Sequence, residues 1–245
     1  LHRAKKKNPD VVVVAVGCYA QVGKEELSKD TNIDLIIGNN KKKDLIHILE
    51  EHMGEKESAA ESIEVIDIAH DQEYESLHVE QLKEHTRAYI KVQDGCNQFC
   101  SYCIIPYARG PVRSRAKDDV VREIKELAHN GFKEIILVGI HVASYGVDLG
   151  DTTLESLIMD VDKIDGVERI RLSSIEPMTL NQEFIDSIKD SKKLCHHFHI
   201  SLQSGCDETL KRMNRKYTTA QFKGIVDGLR AVSYTHLRAH ETDSY

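Results

Sequence analysis

The sequence contains no long apolar run. Of its 245 residues 40% are hydrophobic, yet the longest apolar stretch, Val11–Val16, is only six residues long. A helix that spans a membrane needs about 20 predominantly apolar residues, so we expect no membrane partner. The basic start of the chain is followed by too short an apolar stretch for a secretory signal peptide, so we expect a protein of the cytoplasm.

An excess of positive charge is also missing. The chain carries 33 Lys and Arg against 40 Asp and Glu, which gives a net charge of −7. An acidic surface does not attract nucleic acid strongly as a whole. Any contact with RNA must therefore come from a local basic patch or from parts of the protein outside this sequence.

Cysteine is scarce, with six in the chain, but three of the six are clustered. Cys96, Cys100 and Cys103 have the spacing C-x3-C-x2-C. They follow Arg87–Val92, which has the pattern of a short strand, and the turn signal Asp94-Gly95. Three cysteines this close cannot pair completely, which disfavours a disulfide loop, and clustered thiols favour a reducing compartment.

Clustered thiolates are soft ligands that select iron–sulfur clusters, zinc or cuprous copper. Three of them can hold three irons of a cube-shaped 4Fe–4S cluster, which usually has four cysteine ligands. One iron would then lack a protein ligand and stay open to chemistry, like the open position of catalytic zinc. The alternatives are three unrelated buried thiols or a zinc knuckle, which would need a fourth ligand such as His85, His129 or His141.

The residues around the three cysteines resemble a known family. The spacing, with Tyr102 before the last cysteine, resembles the cluster loop of radical S-adenosylmethionine (SAM) enzymes. The longer string at residues 94–115, DGCNQFCSYCIIPYARGPVRSR, resembles the methylthiotransferases, and within them the branch that modifies N6-threonylcarbamoyladenosine in tRNA. The resemblance implies two cofactors, SAM and a 4Fe–4S cluster held by Cys96, Cys100 and Cys103.

The chemistry of that family implies that the open iron binds SAM and that one electron cleaves it to a 5′-deoxyadenosyl radical. The radical abstracts hydrogen from C2 of the modified adenine next to the anticodon, where a methylthio group is installed. In such enzymes the cofactors carry the difficult chemistry and the protein positions and shields it. The implied partners are tRNA, an electron donor such as flavodoxin and a sulfur donor.

The first part of the chain has the pattern of a partial α/β layer. Val11–Val16 and Ile33–Ile37 are predicted as strands and Lys41–His52 as an amphipathic helix. We expect residues 1–62 to be the C-terminal part of a flavodoxin-like domain. A lone cysteine such as Cys18 is usually a buried small hydrophobe. However, G-C-Y-A-Q at residues 17–21 resembles the third cysteine motif of the methylthiotransferase N-terminal domain, which implies that Cys18 binds a second 4Fe–4S cluster with two cysteines absent from this sequence.

The rest of the chain divides into a connection, a barrel and a tail. Residues 63–87 are predicted to be the connection, with a short edge strand at Ile63–Ile68. From residue 88, strands alternate with helices as consecutive βα units, which predicts a parallel barrel. The predicted strands are 89–92, 134–139, 169–173 and 197–202, and the predicted helices are 117–130, 154–164, 181–189, 207–214 and 220–231.

The resemblance implies that residues 88–232 form an incomplete radical SAM (β/α)6-type barrel. Residues 233–245 break the helical pattern and resemble a read-through of adapter DNA, so we expect a non-native tail there. Because the chain begins with Leu and the barrel is incomplete, we expect a fragment truncated at both ends, which by itself need not be active.

Active sites of α/β barrels gather at the carboxyl ends of the strands. Each predicted strand is followed by a polar or glycine-containing loop: the cysteine loop, G-I-H at 139–141, S-S-I-E-P at 173–177 and Q-S-G at 203–205. Serines in such loops are often only helix caps, but four converging loops favour a small-molecule site. The resemblance supplies SAM as the ligand, and the residues assigned to its binding are Tyr102, Gly139, His141, Ser174, Glu176 and Gln203.

One basic patch follows the cysteine loop, formed by Arg109, Arg113 and Arg115 together with Lys117. A run of charge is often only a solvated surface. Our hypothesis is that one of these arginines pairs with a substrate anion, either an RNA phosphate or the carboxylate of the threonylcarbamoyl group, because both suit the planar Arg fork. Cys195 and Cys206 have no cluster spacing and are predicted to be structural.

The sequence therefore predicts a radical SAM methylthiotransferase that acts on N6-threonylcarbamoyladenosine in tRNA. One alternative is the same chemistry on isopentenyladenosine in tRNA or on an aspartate of a ribosomal protein. Another, from a different class, is a non-catalytic iron–sulfur or zinc-binding module. The strings IIPYARGPVRSR and RLSSIEP resemble the enzymes that act on threonylcarbamoyladenosine more than those that act on isopentenyladenosine or on a ribosomal protein.

Overall fold

The computed structural model describes residues 1–54, 62–75, 87–232 and 236–239. The chain divides into two units: unit 1 is Leu1–His78 with Ile104–Pro111, and unit 2 is Val79–Cys103 with Val112–Tyr245. The predicted connection at 63–87 and the predicted tail at 233–245 lie partly outside the described residues, so both assignments stay predictions.

Unit 1 is built on a three-stranded parallel sheet. β1 (Val14–Val16) pairs with β2 (Leu35–Ile37), which pairs with β3 (Ser62–Glu64), so that Ala15, Ile36 and Ile63 lie side by side. The helices of unit 1 are α1 (His2–Lys7), α2 (Cys18–Val22), α3 (Lys24–Leu27), α4 (Leu45–Gly54) and α5 (Ile105–Arg109). The partial α/β layer predicted from the sequence is confirmed.

The strands of unit 1 are shorter than predicted, with three residues each. Asp34 gives one physical reason, because its Oδ2 accepts the N–H of Val13 at 2.7 Å. A side chain therefore satisfies a backbone group that a longer β1 would offer to its neighbouring strand. The predicted helix Lys41–His52 begins instead with a 3-10 turn at Lys42–Asp44 and continues as α4.

Unit 2 is an incomplete barrel of βα units. Its main sheet has the order β5-β4-β6-β7, in which β5 is antiparallel to β4 and the other pairs are parallel. A parallel pair, β8 and β9, follows, and isolated parallel bridges join Ile170 to Leu194 and Ile175 to Ile200. The strands are β4 (Arg87–Asp94), β5 (Arg113–Ser114), β6 (Glu134–Gly139), β7 (Arg169–Leu172), β8 (His197–Ile200) and β9 (His236–Ala239).

The helices of unit 2 are α6 (Lys117–His129), α7 (Leu154–Asp162), α8 (Gln182–Ile188), α9 (Asp207–Arg212) and α10 (Thr219–Val232). The four predicted strands and the alternating helices are confirmed. The sequence pattern missed β5, which has only two residues, and β9, which lies within the segment 233–245 assigned to a tail.

Buried and more exposed side chains alternate along β4. In β4, Ala88, Ile90 and Val92 are at most 2% exposed and belong to the same core as Val120 and Ile124 of α6. Side chains at alternate positions of a strand point to opposite faces. The face of β4 away from this core therefore carries Arg87, Tyr89 and Lys91, so this face of the strand is largely polar. Within the described residues, no helix combines the length and the apolar character needed to cross a membrane.

Glu134, the first residue of β6, is a buried carboxylate surrounded by arginines. It is 4% exposed, and it accepts hydrogen bonds from Nε of Arg169 and Nε of Arg171, each at 2.9 Å. Nε of Arg87 lies 3.4 Å from the same carboxylate. Burial by itself would raise the pKa of Glu134, but the hydrogen bonds and charges of the arginines outweigh it and lower the pKa. The carboxylate thus ties β4, β6 and β7 together.

Replacing Glu134 with Gln is expected to lower the free energy of unfolding by about 1–2 kcal/mol at pH 7, since the charged hydrogen bonds are lost but the arginines are partly exposed. The folded pKa is depressed, so this stability is present above the ordinary value of 4.5 and is lost as the pH falls through the folded pKa. Urea unfolding at pH 7 and below pH 4 measures both effects. Glu168→Gln, at an exposed carboxylate, is the control; equal stability of Glu134→Gln and wild type at pH 7 would contradict the role.

Candidate active site

The three clustered cysteines lie on a loop that begins where β4 ends. The carboxylate of Asp94 accepts the N–H of Gly95 at 2.8 Å, and Gly95 has a φ of 73°, a left-handed conformation that glycine adopts without strain. Phe99, within the loop, also has a positive φ of 48°, which is uncommon for a large residue and costs conformational energy. The loop therefore has a specific, partly strained backbone and is not a simple strand extension.

The charges of neighbouring thiols in this loop affect the pKa of Cys96. Cys96, Cys100 and Cys103 are all half-buried. Burial raises the pKa of Cys96, and the negative charges of Cys100 and Cys103 raise it further. Three thiolates brought around one centre would repel one another unless positive charge compensated them. A bound metal centre would supply that charge.

The donor chemistry of the loop fits a 4Fe–4S cluster with one open iron. Three soft thiol ligands from one short loop match the ligand type and leave the fourth position without a cysteine. Among the residues that the structure describes, no three His, Cys, Asp or Glu side chains are already gathered to hold a metal ion. The fit therefore rests on the donor set and the placement of the loop, and not on a preformed cage.

Gln93 joins the cysteine loop to the loop after β6. Its side chain is fully buried, and Nε2 donates to the carbonyl oxygens of Asp94 and Gly95, each at 2.7 Å. Its Oε1 accepts the N–H of His141 at 2.8 Å. A side chain on Gly139 would approach the same Oε1 to 2.8 Å, so glycine is needed there for the close packing. The carboxyl ends of β4 and β6 are thus fixed to each other.

His141 presents a buried ring nitrogen at this edge. Its Nδ1 is hydrogen-bonded to the Ser144 hydroxyl, whereas Nε2 is buried and has no hydrogen-bond partner among the described residues. Burial lowers the pKa of His141, and the positive charge of Arg215 lowers it further. A neutral imidazole with an unused nitrogen can donate to, or accept from, a bound molecule.

Glu176 forms a buried ion pair with Arg215. No pattern in the sequence indicated a role for Arg215. The carboxylate is 9% exposed, and Nη2 of Arg215 donates to its Oε2. Burial raises the pKa of Glu176, although the charge of Arg215 acts in the opposite direction. Arg215 also donates from Nη1 to the sulfur of Cys100 at 3.3 Å. Glu176 therefore reaches the cysteine loop through Arg215.

The other residues assigned to SAM have varied surroundings. Ser174 is exposed and its hydroxyl is hydrogen-bonded to Nδ1 of His199 at 2.9 Å. Gln203 lies in the loop that follows β8 and has a φ of 66°, a strained conformation for a residue other than glycine. Tyr102 is 54% exposed beside the cysteines, and burial of part of its ring raises its pKa. Their roles in binding SAM stay predictions.

Unit 1 brings Cys18 together with Arg109. Cys18 is the first residue of α2 and follows Gly17, whose φ is 103°. Nε of Arg109, at the end of α5, donates to the sulfur of Cys18 at 3.1 Å. A second cluster does not fit the described donors of this unit by themselves, because Cys18 is its single cysteine there.

The remaining arginines of the predicted basic patch are not solvated. Arg113 is 1% exposed and Arg115 is 7% exposed, and both lie at or next to the short strand β5. Arg115 forms an ion pair with Glu123 of α6. This burial favours a structural role for both, and the hypothesis that one of the three arginines pairs with a substrate anion stays a prediction.

Comparison with known proteins agrees with the geometry. The family model described as Radical SAM superfamily matches residues 90–238. The threonylcarbamoyladenosine tRNA methylthiotransferase MtaB of Aquifex aeolicus is 40% identical over 93% of this chain and 54% of its own length. The tRNA-2-methylthio-N(6)-dimethylallyladenosine synthase of Thermodesulfovibrio yellowstonii is 39% identical over 89% of this chain and 48% of its own length.

A solved structure shows the same fold. The cobalamin-dependent S-adenosylmethionine radical enzyme OxsB, with aqua-cobalamin and S-adenosylmethionine bound, has a TM-score of 0.63 and 13% sequence identity, covering 98% of this chain and 38% of the other. The chain spans about half the length of the curated relatives it matches. The predicted resemblance and the incomplete radical SAM barrel are confirmed. The chain belongs to the radical SAM superfamily.

Proposed function

We propose that the protein to which this chain belongs methylthiolates N6-threonylcarbamoyladenosine in tRNA at C2 of the adenine. The observation that carries the proposal is the 40% identity to the Aquifex aeolicus methylthiotransferase across 93% of the chain. The cysteine loop of unit 2 supports it, since it offers three thiols and no fourth cysteine. Together these favour a transferase over a non-catalytic metal-binding module.

The residues of unit 2 have separate tasks in this proposal. Cys96, Cys100 and Cys103 hold the 4Fe–4S cluster, which supplies the electron for the reductive cleavage of SAM when both are bound. The side chains at the carboxyl ends of the strands bind and orient SAM. Those assigned to this task are Tyr102, Gly139, His141, Ser174, Glu176 and Gln203.

The proposal extends to partners and setting. Cluster reduction needs an electron donor, for which a flavodoxin is suitable, and methylthiolation needs a sulfur donor. A second 4Fe–4S cluster, bound by Cys18 with two further cysteines of the whole protein, would handle the sulfur. Both clusters are compatible with a reducing, cytoplasmic setting.

Nucleoside analysis of tRNA tests the proposal. The full-length protein is expressed in a bacterium that lacks its own methylthiotransferases, and tRNA nucleosides are measured by mass spectrometry. We expect the 2-methylthio derivative of N6-threonylcarbamoyladenosine to appear and that of the dimethylallyl nucleoside not to appear. The reverse result would favour methylthiolation of dimethylallyladenosine, the isopentenyladenosine of the alternative above. A tRNA-2-methylthio-N(6)-dimethylallyladenosine synthase matches this chain at 39% identity.

Arg109→Ala tests whether this arginine pairs with the substrate carboxylate. Loss of a charged hydrogen bond removes about 1.5–3 kcal/mol, so we expect product formation on threonylcarbamoyl-modified tRNA to fall by about 10–100-fold. On tRNA whose modification lacks the carboxylate the variant and wild type should be equally slow. The control is Arg122→Ala, at an exposed arginine of α6.

Equal losses on both tRNAs would contradict carboxylate recognition by Arg109. That result would instead assign Arg109 to its observed contact with the sulfur of Cys18.

A further inference from the structure

The turn that follows α9 is hydrogen-bonded to the cysteine loop, although more than 100 residues separate the two segments in sequence. The N–H of Ser101 donates to the carbonyl of Met213 at 3.1 Å, and its hydroxyl donates to the carbonyl of Arg212 at 3.0 Å. Nδ2 of Asn214 donates to the carbonyl of Phe99 at 2.9 Å. Asn214 itself has a φ of 59°, so the turn has a defined left-handed step. We call residues 212–215 the clamp turn.

Arg215 completes the clamp turn with a contact to a sulfur. Its guanidinium donates from Nη1 to Sγ of Cys100 at 3.3 Å and from Nη2 to the Glu176 carboxylate. The guanidinium carbon lies 5.3 Å from the centroid of the Tyr217 ring, within the range of a cation–π interaction. The Arg215 side chain is 7% exposed, so solvent screens its charge weakly. One buried cation is thus held in place by an anion, a ring and a cysteine sulfur.

We propose that Arg215 is a positioning residue that sets the reduction potential of the cluster on Cys96, Cys100 and Cys103. One-electron reduction adds negative charge to a cluster that three thiolates already surround. A buried cation and an N–H···S hydrogen bond stabilise that added charge and therefore raise the potential. Glu176 acts in the opposite direction, because its carboxylate offsets part of the positive charge of Arg215. The inference rests on the cluster assignment alone and does not depend on which tRNA nucleoside is the substrate.

The test compares two variants with opposite expected signs. The chain is reconstituted anaerobically with iron and sulfide, without SAM and tRNA, and titrated with dithionite while the reduced cluster is followed by EPR. For Arg215→Gln we expect the ratio of reduced to oxidised cluster at a fixed potential to fall about tenfold, which is 59 mV for a one-electron couple. For Glu176→Gln we expect the ratio to rise, because the cation is no longer offset.

The matched control is Arg212→Gln, which removes an exposed cation and keeps the backbone carbonyl that Ser101 uses. Its ratio should equal that of wild type, and iron content is measured for every variant. If Arg215→Gln loses its iron, the upward shift of Glu176→Gln decides the test. The inference is overturned if the ratio shifts in the same direction for Arg215→Gln and Glu176→Gln, or if neither ratio differs from that of Arg212→Gln. Either result leaves the proposed function standing. A wild-type chain that takes up no iron overturns both the inference and the proposed function.

Discussion

Serine at Cys96, Cys100 or Cys103 is expected to abolish the iron–sulfur cluster of unit 2. Iron bound per reconstituted chain should fall from about four atoms to less than one, because a serine hydroxyl is a hard ligand and only two thiolates remain. Under the proposed function, methylthiolation by the full-length protein should fall to background, since SAM would not be cleaved without the cluster. Iron and sulfide analysis, the visible spectrum and EPR measure the first effect, and tRNA nucleoside analysis measures the second.

Two other cysteines serve as controls for this experiment. Cys206 is exposed and Cys195 is half-buried, and neither lies on the cysteine loop. Serine at either position should leave the cluster content unchanged. If the wild-type chain binds zinc and stays colourless, or if the three loop variants keep their iron, the radical enzyme is excluded and the metal-binding module takes its place.

The sequence was most informative where the chemistry is local. Three cysteines within eight residues of one another, after a strand and a turn signal, define the loop without any knowledge of the fold. The βα units were also predictable, because strands such as β6 and helices such as α6 carry their apolar residues in regular patterns. Both kinds of signal depend on neighbours in sequence.

Contacts between distant segments were not predictable in the same way. Arg215 meets Cys100 across 115 residues, and no pattern around Arg215 distinguishes it from the other basic residues of that turn. The burial of Arg113 and Arg115 was not predictable for the same reason. Arg115 has its anion, Glu123, eight residues later on α6, and counting charges along the chain does not show which are paired. β5, with two residues, is too short for a periodic pattern.

Gln93→Met is expected to destabilise unit 2 by about 3–5 kcal/mol, because three backbone groups, two of them buried, lose their hydrogen-bond partner while the volume of the side chain changes little. These groups are the carbonyls of Asp94 and Gly95 and the N–H of His141. The unsupported loop should also bind the cluster about 10–100-fold more weakly, as for loss of other outer-shell partners of metal sites. Urea unfolding followed by circular dichroism and iron retention against a chelator measure the two effects.

The comparison that isolates the site is Gln182→Met, the same chemical change on an exposed residue of α8. It should change stability by less than about 0.5 kcal/mol, as surface substitutions usually do. If Gln93→Met retains iron as well as Gln182→Met does, then Gln93 holds only the barrel together and the cysteine loop keeps its conformation without it. If both quantities fall together, the fixed carboxyl ends of β4 and β6 are what present the three thiols to the cluster.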